Sequence, residues 1–151
     1  MNFEIRPLRE TDLEQLVAVE RDCYRDPWSL AQFRQELELP HASIDLCWAD
    51  GKLAGYHCYW LVVGEMQVMN LATAPDFQRH GVARKLLGHA LETCSLKGLQ
   101  RAYLEVRIGN LPAISLYRSF GFVDDGLRRH YYADGEDALL MVKEVAGEGA
   151  L

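Results

Sequence analysis

A strand, a short polar loop and a helix follow one another between residues 66 and 91. Met66–Thr73 has strand character, the segment 74–76 forms a turn, and apolar residues recur at helical spacing after Gly81. The first amides of a helix lack intrahelical partners and the helix dipole adds positive potential, so anions bind there. Gly81 permits positive φ. The loop Gln78–Ala83 is therefore predicted to hold a phosphate, although an ordinary strand–turn–helix has the same pattern.

Local patterns predict a mixed α/β arrangement around this stretch. Two capping boxes, Thr11–Glu14 and Ser29–Gln32, predict helix starts, and Asn110 is expected to cap a further short helix. Strands are expected at residues 3–6, 44–48, 53–63, 66–73 and 102–108, with a final strand pair around 133–135. A helix joins strand 66–73 to strand 102–108, which predicts that the two are parallel. We expect one domain, residues 1–146, followed by a disordered tail, residues 147–151.

Composition excludes several kinds of site and partner. Four widely spaced cysteines and five histidines show no metal-ligand spacing, so we expect no metal. The N-terminus lacks a signal-peptide pattern and no apolar run is long enough to span a bilayer, which predicts a cytoplasmic protein without membrane contact. Residues 61–110 carry 6 basic and 4 acidic side chains, whereas the whole chain carries 16 and 22. The acidic remainder suits either a cationic substrate or solubility alone, and no basic stripe indicates nucleic acid.

Two motifs together resemble the GNAT (Gcn5-related N-acetyltransferase) family. Gln78, Gly81 and Ala83 match its cofactor signature, and the second motif matches at Asn110, Ala113, Leu116, Tyr117, Gly121 and Phe122. The resemblance implies the GNAT fold, a central, mixed and splayed sheet of about seven strands with about four helices, and acetyl-CoA as cosubstrate. It further implies a set of cofactor-binding residues: Leu71, Ala72, Thr73, Gln78, Arg79, His80, Gly81, Val82, Ala83, Arg84 and Asn110.

Glu105 and Tyr117 are the candidate catalytic residues. Glu105 lies in a strand expected to be central, where a carboxylate is costly unless it has a task or a partner. The amine that accepts the acetyl group must lose a proton, which makes Glu105 the candidate base. The resemblance places the Tyr117 hydroxyl beside the cofactor sulfur, where a phenol can protonate the leaving thiolate. The alternatives are a structural ion pair of Glu105 with Arg107 or another basic neighbour, and a core aromatic at position 117.

Further segments resemble one branch of the family, the bacterial ribosomal-protein-alanine N-acetyltransferases. These segments are 26–29, 104–107, 128–132 and 135–138, and the resemblance covers roughly residues 3–143. It implies direct acetyl transfer to the N-terminal alanine of a small-subunit ribosomal protein, with Trp28, Tyr131 and Tyr132 binding the peptide. A backbone N–H near Leu71 and Ala72 is expected to stabilise the oxyanion. We expect a monomer. Other protein N-termini, lysines or small amines remain alternative substrates, and a non-catalytic acetyl-CoA-binding module is the alternative outside enzymes.

Overall fold

The computed structural model describes residues 1–145, so the tail predicted at 147–151 lies outside the described residues. The strands are β1 (Phe3–Pro7), β2 (Ala42–Ala49), β3 (Lys52–Val62), β4 (Glu65–Thr73), β5 (Arg101–Arg107), β6 (Val123–Arg128) and β7 (Ala138–Glu144). The helices are α1 (Leu13–Cys23), α2 (Leu30–Leu37), α3 (Val82–Leu96) and α4 (Leu111–Ser119), with 3-10 turns at Glu10–Asp12 and Pro75–Phe77. The strand order is β1-β2-β3-β4-β5-β7-β6. This arrangement of described elements confirms the predicted mixed α/β fold with seven strands and four helices.

Two compact units make up the chain. The first comprises Met1–Trp60 and Asn70–Ala90, and the second comprises Leu61–Met69 and the described residues 91–145. Strand β4 passes from the second unit into the first at Asn70. The single domain expected for residues 1–146 stays a prediction.

Helix starts in the first unit show how far local sequence determines structure. Ser29 caps α2 as predicted, because its Oγ accepts the Gln32 N–H at 3.2 Å and the Gln32 side chain accepts the Ser29 N–H at 2.8 Å. A helix starts within Thr11–Glu14 as predicted, since α1 begins at Leu13, but the residue at its N-cap is Asp12 and not Thr11. A 3-10 turn precedes α1, and Asp12 Oδ2 accepts the Arg9 N–H of that turn at 3.0 Å.

The core of the first unit fixes the beginning of α3. Val82 and Leu86, on its first turns, are buried against Cys47, Ala49 and Ala54 of the sheet. The β2–β3 hairpin turns at residues 50–51 as predicted, with φ of 49° and 83°, the positive values that a tight hairpin turn needs. Val82, the first residue of α3, is thus buried, whereas the loop residues 78–81 before it are exposed.

Strand β5 organises the second unit. Its pairing with β4 is parallel, as predicted, and the register runs from Glu65↔Arg101 to Gln67↔Tyr103. Antiparallel pairing with β7 continues along all of β5, from Arg101↔Glu144 to Arg107↔Ala138. Among the described residues, the second half of β5 therefore pairs with β7 but not with β4. An early end to parallel pairing is what the prediction of a splayed sheet requires.

Within residues 1–145, none of the helices has the length and apolar character needed to cross a membrane. The same residues contain no group of three or more His, Cys, Asp or Glu side chains arranged to hold a metal ion.

Candidate functional site

The loop between β4 and α3 has the backbone geometry of an anion site. Arg79 and Gly81 both adopt positive φ, 67° and 76°, and α3 begins at Val82. The hydrogen bond from Lys85 N–H to Gly81 O, 3.0 Å long, closes the first helical turn, so the amides of Val82 and Ala83 precede the first intrahelical bond. A side chain at Gly81 would meet no atom within 4 Å. A ligand can therefore approach this backbone from solvent.

The positive φ of Arg79 was not predicted from the sequence. A non-glycine residue with positive φ is uncommon and costs free energy, on the order of 1–3 kcal/mol, which the surrounding structure must supply. Such strain is concentrated at functional sites. Gln78, Arg79 and His80 are all exposed, so their side chains are available to a ligand at the same loop.

The end of β4 meets the end of α1 within the first unit. The Leu71 carbonyl accepts the Tyr24 hydroxyl at 3.4 Å, and the Thr73 carbonyl accepts the Cys23 thiol at 3.3 Å. Burial raises the pKa of Cys23 to about 11, so its thiol is neutral at physiological pH. Cys23 therefore lacks the thiolate character of a nucleophile, as expected for a cysteine outside the chemistry.

Trp28 is held by a buried carboxylate that the sequence analysis did not identify. Glu20 is 1% exposed; its Oε2 accepts the Trp28 N–H at 2.9 Å and its Oε1 accepts the Tyr56 hydroxyl. Burial raises the pKa of Glu20, and the Trp28 N–H opposes that shift. The Trp28 ring packs on Phe33, with 5.2 Å between centroids. One signal was present: Glu20 continues the apolar face of α1 after Leu16 and Val17.

Glu105 faces two groups of the second unit. Its carboxylate lies 3.7 Å from an Arg128 guanidinium nitrogen, and its side chain is 27% exposed. Hydrogen bonding to Glu105 raises the pKa of Tyr131. The pairing with Arg107 that was considered as an alternative is not found, because Arg107 pairs with Asp134 at 2.9 Å and with Glu136 at 3.0 Å. Arg128 is instead the basic neighbour of Glu105.

Tyr117 lies on α4 and is 8% exposed. Its ring packs edge-to-face on Phe122, with 5.8 Å between centroids. Burial raises the pKa of Tyr117 to about 12, with a smaller contribution from nearby Tyr132, so the phenol keeps its proton at neutral pH. The ring thus has the core packing of the alternative reading, while the hydroxyl stays chemically able to donate a proton.

Asn110 caps α4 as predicted, since its Oδ1 accepts the Ala113 N–H at 3.3 Å. This bond uses the side-chain oxygen and leaves the amide nitrogen as the group able to donate to a ligand. One side chain can therefore begin the helix and contact a second group.

Tyr131 and Tyr132 lie together in the loop between β6 and β7. Their rings meet edge-to-face with 5.2 Å between centroids. The Arg128 guanidinium lies 5.4 Å from the centre of the Tyr131 ring, and the Arg107 guanidinium lies 4.0 Å from that of Tyr132. Tyr131 is 47% exposed, which suits a residue that contacts a substrate. The second unit therefore brings both tyrosines and Glu105 into one cluster, with Tyr132 also close enough to influence Tyr117.

Comparisons with known proteins identify the family to which this sequence and fold belong. The pattern of the Acetyltransferase (GNAT) family matches residues 13–122. The Escherichia coli (strain K12) [ribosomal protein bS18]-alanine N-acetyltransferase is 34% identical over 145 residues, which are 94% of this chain and 97% of that protein. An N-alpha-acetyltransferase of Sulfurisphaera tokodaii is 31% identical over 152 residues, covering 92% of this chain and 91% of its own. The crystal structure of the Escherichia coli ribosomal-protein-S18-alanine N-acetyltransferase superposes with a TM-score of 0.89, covering 97% of each chain at 34% identity.

Proposed function

The chain belongs to the GNAT acetyltransferase family, and we propose that it acetylates the N-terminal alanine of a small-subunit ribosomal protein. One observation carries this choice: 34% identity and a TM-score of 0.89 over 97% of both chains, against the crystal structure of an enzyme named for that activity. An acetyltransferase of this family uses acetyl-CoA as its acetyl donor. We further propose that the chain is a monomer, acts in the cytoplasm and does not contact nucleic acid.

The β4–α3 loop fits the phosphate end of acetyl-CoA. Positive φ at Arg79 and Gly81, a helix start at Val82 and open space over Gly81 suit an anion that binds bare backbone. When bound, acetyl-CoA supplies an acetyl group activated as a thioester. Residues 78–83 and Arg84 would hold its pyrophosphate, whereas the backbone of residues 71–73 and the Asn110 amide nitrogen would hold its pantetheine arm.

Glu105 and Tyr117 have complementary roles in the proposed reaction. The incoming α-amino group is largely protonated at neutral pH, because its pKa is about 7.7–8.0. The Glu105 carboxylate attracts this ammonium group and accepts its proton, directly or through water. The Tyr117 phenol donates a hydrogen bond, and then its proton, to the departing sulfur. The nitrogen loses two protons between the ammonium ion and the N-acetyl amide. Glu105 takes the first and releases it to solvent, and the second, lost after nitrogen bonds to the acetyl carbon, restores through water the proton that Tyr117 gave to the sulfur. The products are the N-acetyl amide, the free thiol and one proton.

Tyr131, Tyr132 and Trp28 are the proposed peptide-binding residues. The contact of Tyr131 with Glu105 supports this role, because it places an exposed aromatic ring next to the proposed base. A peptide whose first residue reaches Glu105 would pass over Tyr131. The similarity to an N-alpha-acetyltransferase supports a second candidate, namely acetylation of a broader set of protein N-termini.

Peptides that differ only in their first residue test the proposed function. With acetyl-CoA, we expect the chain to prefer an alanine-starting peptide of a small-subunit ribosomal protein over serine-, methionine- and lysine-starting versions. Tyr117→Phe and Glu105→Gln should each lower kcat by about 10²–10⁴-fold, the usual contribution of general acid–base catalysis. Arg118→Gln, on an exposed face of the same unit, serves as the control.

Calorimetry should show nearly unchanged acetyl-CoA affinity in both catalytic variants. Equal rates on all four peptides would favour the broader acceptor range. Near-normal kcat in both variants would remove the assigned acid and base, and acetyl-CoA binding without transfer to any amine would favour a non-catalytic module.

A further inference from the structure

One carboxylate in the second unit joins the tyrosine loop to the end of β5. Glu136 Oε1 accepts a hydrogen bond from the Arg107 guanidinium at 3.0 Å. The same guanidinium donates to both oxygens of Asp134, at 3.0 and 2.9 Å, and stacks over Tyr132, 4.0 Å from the ring centre. Arg107 is therefore held on one side by carboxylates and on the other by the ring of a proposed peptide-binding residue.

The second oxygen of Glu136 reaches the start of α4. Glu136 Oε2 accepts the Gly109 N–H at 2.9 Å, and Gly109 directly precedes the helix cap Asn110. A Cβ at Gly109 would lie 2.7 Å from Glu136 Oε2, so glycine allows the carboxylate to come this close. A backbone bond from Ile108 N–H to Asp137 O, 3.1 Å long, runs beside it.

The backbone of Glu136 also shapes the tyrosine loop. Its carbonyl accepts the Tyr132 N–H at 3.2 Å, and its own N–H donates to Asp134 Oδ1 at 3.0 Å. Both carboxylate oxygens and both backbone groups of Glu136 are thus engaged, each with a neighbour in the loop or in the segment 107–109.

We propose that Glu136 is a positioning residue that fixes the Tyr131–Tyr132 loop and the Asn110 cap of α4 relative to each other. This inference rests on the proposed function, in which the loop binds the peptide and Asn110 contacts the acetyl-CoA arm. One side chain then sets the placement of both substrates. Errors of about 1 Å in such placement can lower rates by about 10²-fold.

The solvent exposure of the Arg107–Glu136 pair indicates that Glu136 positions its neighbours more than it stabilises the fold. The Arg107 side chain is 41% exposed and that of Glu136 is 31% exposed, so water screens their attraction. Ion pairs at such exposure contribute little to global stability. Loss of Glu136 should consequently affect substrate placement much more than the melting temperature.

Glu136→Gln provides the test. Glutamine keeps the length of the side chain but has one accepting oxygen, so either the Gly109 N–H loses its acceptor or Arg107 loses its bond to position 136 and keeps only Asp134. We expect KM to rise for both the peptide and acetyl-CoA, with kcat about tenfold lower, as in other cases of misplaced reacting groups. Asp134→Asn disturbs Arg107 and leaves the Gly109 bond, and should raise KM for the peptide alone. Asp124→Asn is the matched control, because it weakens the exposed bidentate Arg118–Asp124 pair of the same unit.

Amide hydrogen exchange provides a readout that does not need activity. In Glu136→Gln, protection should fall together at residues 109–113 and 130–135, while the melting temperature stays close to that of Asp124→Asn. Kinetics matching the Asp124→Asn control, or exchange that changes in only one of the two segments, would overturn the inference. A wild-type protein that transfers no acetyl group would reject the proposed function instead, and the exchange data would still decide whether Glu136 couples the segments.

Discussion

His57 is a buried ionisable residue that lies outside the proposed chemistry. It is fully buried in β3, opposite Asp45 on β2, and its ring lies 4.7 Å from that of Tyr59. Neither ring nitrogen makes a hydrogen bond of normal geometry to residues 1–145. Burial lowers the pKa of His57 to about 3, and the Leu86 carbonyl opposes the shift only in part. The folded chain therefore keeps this ring neutral.

The free energy of unfolding should consequently decrease at acidic pH, because of His57. Its pKa is lower in the folded state than the unfolded value of 6.5, so the unfolded chain binds more protons as pH falls below 6.5. The contribution of the neutral ring to the free energy of unfolding is fully present above pH 6.5 and decreases as the pH falls toward 3. Between pH 6.5 and 5 the expected loss is about 2 kcal/mol, from 1.4 kcal/mol per pH unit. Urea unfolding at several pH values should show a flatter dependence in His57→Leu.

The exposed residue Leu96 provides the control, because Leu96→Ala removes no ionisable group and should keep the wild-type slope. Parallel curves for the wild type and His57→Leu would show that His57 does not govern the acid limb.

Single residues also show which interactions a sequence reveals. The caps at Ser29 and Asn110 were predicted because each joins groups three residues apart. Arg128 was not predicted as the neighbour of Glu105, since the two are 23 positions apart and belong to different strands. Glu20 was missed for the same reason, as Tyr56 lies 36 positions away. Contacts between residues far apart in the sequence cannot be predicted from short sequence motifs.

Strand β3, strand β4 and helix α3 approach one another most closely at Gly55. A Cβ at Gly55 would lie 2.6 Å from the Ala72 carbonyl oxygen and 2.8 Å from a methyl carbon of Val82. Both neighbours belong to segments proposed to hold acetyl-CoA. Strands were predicted at 53–63 and 66–73 from the sequence, but this close approach was not, because a glycine in a strand has several possible causes.

Gly55→Ala should therefore disturb both stability and cofactor binding. The added methyl group must displace the backbone of β4 or the first turn of α3, and overpacking of this kind costs about 1–3 kcal/mol. We expect a lower midpoint of urea unfolding and weaker acetyl-CoA affinity by calorimetry. Gly51→Asn is the control, because nothing lies within 4 Å of that position and asparagine tolerates its φ of 83°. Unchanged affinity in Gly55→Ala would mean that the placement of Ala72 and Val82 does not matter for the cofactor.

Under the proposed function, a chain that is acidic as a whole binds the polyanion acetyl-CoA. The net charge is −6, while residues 61–110 carry 6 basic and 4 acidic side chains. Long-range attraction therefore cannot account for binding of a phosphate group, and local donors must supply it. The described loop offers two kinds, the helix-start amides and the exposed Arg79 and Arg84. Salt screens the contribution of exposed arginines much more than that of backbone amides.

A series of cofactor fragments should separate these contributions in thermal unfolding. Acetyl-CoA at about 100 times its Kd should stabilise the chain by about 2.7 kcal/mol, or roughly 5–10 °C in Tm for this size. Pantetheine, which lacks the pyrophosphate, should give a much smaller shift at equal concentration. Arg79→Ala should reduce the acetyl-CoA shift mainly at low salt, because the amides remain, whereas Arg34→Ala, which removes an exposed pair with Glu10, should not reduce it. Equal shifts with pantetheine and acetyl-CoA would show that the β4–α3 loop does not bind phosphate, since the pantetheine arm alone would then supply the binding free energy.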